Sequence, residues 1–171
     1  MFKKTSCAII VFFIAVFYAV PGLSGDTAFQ YGLKSSSLYG FPTFVGLKVL
    51  QGDSAITVRT GMHYVDVDLP GNDEGLLWWT LGGTFDHYLS DGKLKPYMGG
   101  DLDLHFWDFD STETSVSITP HFGTEYWLSK RFSVSGEAGL TFGFGEFYQN
   151  EAHVGTTSSV LVNYYFQDSN Q

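Results

Sequence analysis

From Arg131 to Gly145 the chain alternates strictly between two kinds of residue. The even positions are Phe132, Val134, Gly136, Ala138, Leu140, Phe142 and Phe144, and none is polar. The odd positions are Arg131, Ser133, Ser135, Glu137, Gly139, Thr141, Gly143 and Gly145, and none is a large apolar residue. Successive side chains of a strand point to opposite faces, so one face of this segment is wholly apolar. A helical period of 3.6 would mix both kinds on every face.

Seven further segments repeat the pattern. Ser115 to Leu128 sets Val116, Ile118, Phe122, Tyr126 and Leu128 against Ser117, Thr119, His121, Gly123 and Glu125. Pro96 to Asp108 sets Met98, Leu102, Leu104 and Phe106 against Gly99, Asp101, Asp103 and His105. Leu77 to Leu89, Ala55 to Tyr64 and Ser158 to Phe166 follow, and Thr43 to Leu50 and Ala28 to Lys34 are the weakest. Turn signals separate them at Gln51–Ser54, Pro70–Gly75, Ser90–Lys93 and Ser129–Lys130. The reading is all-β with eight strands in one domain, and no helix is expected after residue 25.

The start of the chain reads as an address. Lys3 and Lys4 precede an uncharged apolar run from Cys7 to Val20, and Pro21–Gly25 supplies a break and small residues. This is the layout of a signal peptide, cleaved near Ser24 or Gly25. The run is shorter than the roughly 20 residues of a membrane-spanning helix. Residues 1–25 are therefore expected to leave, and 26–171 to form the domain. The single Cys leaves with them, and its place at the front of the run argues against lipidation.

Composition removes other classes. One Cys excludes a disulfide framework or a cysteine-rich zinc module. Nine Lys+Arg against 18 Asp+Glu argues against a nucleic-acid binder. Mean hydropathy near zero excludes a bundle of membrane helices. An eight-stranded barrel remains, and the choice lies between a soluble carrier with an apolar cavity and a membrane barrel with an apolar outer face. Only 16% of the chain is charged, whereas a solvated surface carries about a quarter to a third. Aromatics gather at strand ends: Trp78, Trp79, Phe106, Trp107, Phe147 and Tyr148 at one, Tyr88, Tyr97, Tyr126, Trp127, Phe132 and Phe166 at the other. Two such bands read as the girdles that a bilayer's interfaces select. Short turns also alternate with longer acidic loops. The expected fold is an eight-stranded antiparallel up-and-down transmembrane β-barrel.

Three stretches carry a resemblance. They are Gly46-Leu47-Lys48 to Lys95-Pro96-Tyr97-Met98-Gly99-Gly100, Phe122-Gly123-Thr124-Glu125-Tyr126-Trp127-Leu128-Ser129 with Ser133 to Gly139, and the ending Val162-Asn163-Tyr164-Tyr165-Phe166. With these the chain resembles the bacterial outer-membrane β-barrel domain family, the small eight-stranded group. The resemblance implies export to the periplasm and residence in the outer membrane of a Gram-negative envelope. It implies contact with outer-membrane lipid and lipopolysaccharide, and delivery by periplasmic chaperones to the barrel-insertion machinery. In the family a terminal aromatic is read by that machinery, and Tyr164 and Phe166 match it. The family usually stops there, whereas this chain continues from Gln167 to Gln171.

The interior of eight strands is wide enough only for side chains, so inward charges must pair. The expected luminal network is Arg59, Asp86, Asp101, Asp103, His105, His121, Glu125 and Glu137. Hairpin centres placed at mid-turn set Arg59 opposite Asp86, Asp101 near Glu125, and His105 near His121, with Lys34 and Lys48 helping. A metal or proton site at His105, His121 and Asp103 is the sharper alternative.

The function expected is a structural or interaction role, in membrane integrity, adhesion or surface contact. No enzyme activity, cofactor or metal is expected, nucleic acid is no partner, and the chain is a monomer. The alternatives are a lipid-modifying enzyme of that membrane and a secreted lipocalin-like carrier. The first would need a triad, and His153 with Thr156, Thr157 and Ser158 does not match the His-x-Ser of outer-membrane deacylases. Loop acids Asp73, Glu74, Asp108, Asp110, Glu113, Glu146 and Glu151 could bridge divalent cations to lipopolysaccharide.

Overall fold

The computed structural model describes residues 26–36, 43–69, 72–108, 112–146 and 151–166. Residues 1–25, where the signal peptide is expected, Asp110, Phe147, Tyr148 and residues 167–171 lie outside them. So do the side chains of Lys34, His63, Asp73, Glu74 and Asp108.

Eight strands follow in chain order: β1 (Asp26–Ser36), β2 (Thr43–Gln51), β3 (Ser54–Leu69), β4 (Asn72–Tyr88), β5 (Leu94–Asp108), β6 (Thr112–Ser129), β7 (Phe132–Gly145) and β8 (His153–Tyr165). Each is antiparallel to the next, and β1 also pairs with β8, so the sheet closes into a barrel without an edge. Every segment read from alternation is a strand.

The connections at one end are tight. Gln51 pairs with Ser54 around Gly52, whose φ of 58° is left-handed and suits glycine. Lys130 and Arg131 turn β6 into β7, beside a register shift between Trp127 and Ser129. The other end differs from the sequence expectation. The stretch from Asn72 to Gly75 is strand rather than loop, because Leu69 pairs with Asn72 and leaves only Pro70 and Gly71 between β3 and β4.

The alternation becomes an inside and an outside, inverted relative to a soluble barrel. Ile56, Phe85, Leu102, Phe122, Leu140 and Val160 are exposed on the outer face. Lys48, Arg59, Asp86, Asp101, Asp103, Glu125 and Glu137 are buried within. A soluble carrier would show the reverse, so the lipocalin-like reading fails on this distribution. Among the described residues no helix is long and apolar enough to cross a membrane, and the exposed apolar band belongs to strands. An apolar outer band over a polar interior is how a barrel satisfies a bilayer.

The aromatic bands divide. Tyr126 and Phe166 are exposed outside, Phe132 is half-buried there, and Trp79 stacks on Phe106 at 5.2 Å between ring centroids. Trp78, Trp107, Tyr88, Tyr97 and Trp127 instead point inward and are buried. They stand at the polar parity of their strands, so they cannot belong to a girdle. They close the two ends of the lumen.

Candidate functional site

The site that these strands build is the lumen, which is layered from the tight-turn end upward. Its first layer centres on Glu125 of β6, which has no exposed surface. Lys48 Nζ of β2 donates to Oε2 at 3.0 Å. The Tyr88 hydroxyl donates to the same oxygen, and Ser133 to Oε1. Tyr165 OH and Asn163 Nδ2 donate to Oε1 at 3.0 and 3.3 Å. A fully buried carboxylate is tolerable only with such compensation. Trp127 stacks on Tyr165 at 4.4 Å, and Lys48 lies over the Tyr88 ring at 5.5 Å.

The second layer holds Asp86, His121 and Glu137. His121 Nε2 is 2.8 Å from Asp86 Oδ1, and its Nδ1 is 3.3 Å from the Thr119 carbonyl oxygen. Tyr97 OH donates to Glu137 Oε1 at 2.9 Å.

The third layer is Arg59. Its Nη2 is 2.9 Å from Asp101 Oδ2 and donates to both Asp103 oxygens at 2.9 Å, while Nε donates to Oδ1 at 3.2 Å. The planar guanidinium can serve two carboxylates at once. Thr84 Oγ1 donates to Asp101 at 2.8 Å, and Phe44 lies under the guanidinium at 4.9 Å.

In the fourth layer His105 Nδ1 is 3.0 Å from Thr80 Oγ1 and Nε2 is 2.9 Å from Ser117 Oγ. Trp78 and Trp107 stack above it at 4.2 Å.

Glycines make room for these groups. A Cβ at Gly82 would overlap the Asp103 carboxylate, and one at Gly123 would meet the Tyr97 ring at 2.5 Å. Large polar side chains and missing ones therefore alternate around the wall.

All eight residues expected in the lumen are buried there: Arg59, Asp86, Asp101, Asp103, His105, His121, Glu125 and Glu137. Their partners differ from the expectation. Arg59 pairs in register with Gly82, four positions from Asp86, and holds Asp101 and Asp103 instead. Asp101 stands opposite Thr119 rather than near Glu125, and His105 opposite Ser115 rather than His121. The cause is turn length, since β4 and β6 begin at Asn72 and Thr112, earlier than mid-turn centres imply. The grouping of His105, His121 and Asp103 is not formed, and His121 meets Asp86 and Glu137 instead.

Sequence reasoning missed the inward aromatics, although their parity matches that of the charges. Tyr164 and Phe166 face outward and are exposed, with ring centroids 6.1 Å apart. Of the deacylase candidates, His153, Thr156 and Ser158 are exposed and Thr157 is buried, so they do not converge on one face. Of the loop acids, Glu146 is exposed and accepts the Thr114 backbone N–H at 3.2 Å, and Glu151 is exposed.

No family model and no curated protein matches the chain. Among solved structures it is similar to Neisserial surface protein A (NspA), with a TM-score of 0.51 and 18% identity over 82% of this chain and 95% of that one. The N-terminal β-barrel domain of Pseudomonas aeruginosa OprF follows at a TM-score of 0.49 and 14% identity, covering 82% and 98%. Ail, the attachment invasion locus protein of Yersinia pestis, gives 0.45 and 11%, covering 82% and 97%. At such identities the likeness to NspA is one of fold. The chain has the fold of the small eight-stranded outer-membrane β-barrels.

Proposed function

We propose that this chain spans a bacterial outer membrane as a monomeric, side-chain-filled barrel with a structural or interaction role. The observation that carries the reading is the inversion of polarity. Leu102 and Phe122 are half-exposed outside, while Asp101 and Glu125 beside them in sequence are buried inside. Lipid is the covering that such an outer face requires. Outer-membrane lipid is then the constant partner. Periplasmic chaperones and the insertion machinery act during assembly, with Tyr164 and Phe166 as the outward aromatic signal. Membrane integrity, adhesion or surface contact would act through the loop end, where the strands leave the bilayer.

The filled interior supports a closed barrel. The four layers and the inward aromatics occupy the space that eight strands enclose. Fractionation with boiled and unboiled gel mobility tests the placement. The folded protein should sediment with outer membranes and shift in mobility on boiling. Recovery as a soluble periplasmic protein without that shift would overturn it. In planar bilayers the purified barrel should give no steady conductance, and a constant open-pore current would contradict the filled lumen.

A further inference from the structure

The second luminal layer gathers one imidazole and two carboxylates around glycines. Its backbone row runs Asp86, Gly99, His121, Gly139 across β4 to β7, each paired with the next. Potential ligands and glycines alternate, and Glu137 joins from two residues along β7. A Cβ at Gly99 would collide with Asp86 Oδ1 and His121 Nε2, and one at Gly139 would come within 2.9 Å of His121 Cβ. The glycines thus clear the space around the imidazole.

The imidazole is oriented from behind. Its Nδ1–H donates to the Thr119 carbonyl at 3.3 Å, which turns Nε2 toward Asp86. Metal-binding histidines are commonly held by such a backbone or carboxylate acceptor. Glu137 is held in the same manner by the Tyr97 hydroxyl. One ligand atom from each of Asp86, His121 and Glu137 lies within 4.8 Å of the others. Ligands around a tetrahedral zinc stand about 3.3 Å apart, so small side-chain rotations complete the set.

Charge favours a dication here. Lys48 is committed to Glu125, and Arg59 is shared by Asp101 and Asp103. Among the described residues no lysine or arginine forms an ion pair with Asp86 or Glu137. Two carboxylates and a neutral imidazole around a 2+ ion sum to zero, which is what a buried site requires. We propose that Asp86, His121 and Glu137 bind one zinc-type divalent cation inside the barrel. The aromatic layers at both ends then imply capture during folding rather than exchange afterwards.

The test is metal retention by the full chain. The protein is unfolded with a chelator, refolded in detergent with excess Zn²⁺, and freed of loose metal. Zinc is then measured by mass spectrometry on the heat-modifiable fraction. About one zinc per wild-type chain is expected, with roughly tenfold less in Glu137→Gln and His121→Ala. His105→Ala, which alters a luminal histidine outside the cluster, should retain it. Glu137→Gln is nearly isosteric and keeps the test valid if His121→Ala fails to fold. Folded wild type holding less than about 0.1 zinc per chain would overturn the proposal. So would zinc retained equally by wild type and Glu137→Gln. The backbone of Lys34 pairs with Ser159, which pairs with Glu137, so Lys34→Ala is a further arm. Zinc bound by Lys34→Ala but not by wild type would show that a lysine completes the cluster, and the proposal would fail.

Discussion

Lys48 and Glu125 meet across the barrel at 3.0 Å, although 77 residues separate them in the chain. Neither has meaningful solvent contact. Removing one partner leaves the other charge buried alone, at a cost of about 3–5 kcal/mol. Glu125→Ala and Lys48→Ala should each lower the unfolding free energy of the refolded barrel in detergent by that order. The double variant Lys48→Ala/Glu125→Ala should lose less than the two single losses together. Additive losses in denaturant titrations would show that the pair is not coupled.

Gly123 faces the Tyr97 ring, whereas a Cβ at Gly136 meets nothing within 4 Å. Gly123→Val should destabilise by about 1–3 kcal/mol through overpacking. Gly136→Ala, on the outer face, should stay within about 0.5 kcal/mol of wild type. Equal unfolding midpoints for the two variants would mean the lumen is less filled than the geometry indicates.

Phe122 points outward and Gly123, one residue on, points inward. Arginine at Phe122 should cost about 2–4 kcal/mol near the bilayer midplane, since a cation there is exposed to hydrocarbon. Refolding into vesicles and reading the denaturant midpoint measures it. A change below about 0.5 kcal/mol would indicate that this face is not in lipid.

Tyr164 and Phe166 are exposed on the outer face, so their loss should affect assembly more than stability. Tyr164→Ala/Phe166→Ala should reduce the heat-modifiable form recovered from cells while leaving spontaneous refolding in detergent near wild type. An equal deficit in both settings would make the pair a packing element rather than a signal.

Face and register were unequally legible in the sequence, and the reason is the period of two. Arg59 was expected opposite Asp86 and stands opposite Gly82, a shift of four positions. His105 was expected by His121 and stands opposite Ser115, a shift of six. Even shifts leave every side chain on its own face. The lumen's membership therefore survives an error that rewrites its pairings. Pairing depends on turn length, and the turn signal from Pro70 to Gly75 does not reveal that strand resumes at Asn72. Trp78, Trp107, Tyr88, Tyr97 and Trp127 illustrate the opposite failure. Their residue type and place at strand ends suggest a girdle, whereas their parity assigns them to the interior.

Asn163 and Tyr165 on β8 supply two of the hydrogen bonds around Glu125. Until that last strand docks, the Glu125 carboxylate of β6 lacks part of its shell. The shell of that carboxylate draws on β2, β4, β7 and β8, so the finished lumen binds the two ends of the chain to one buried charge.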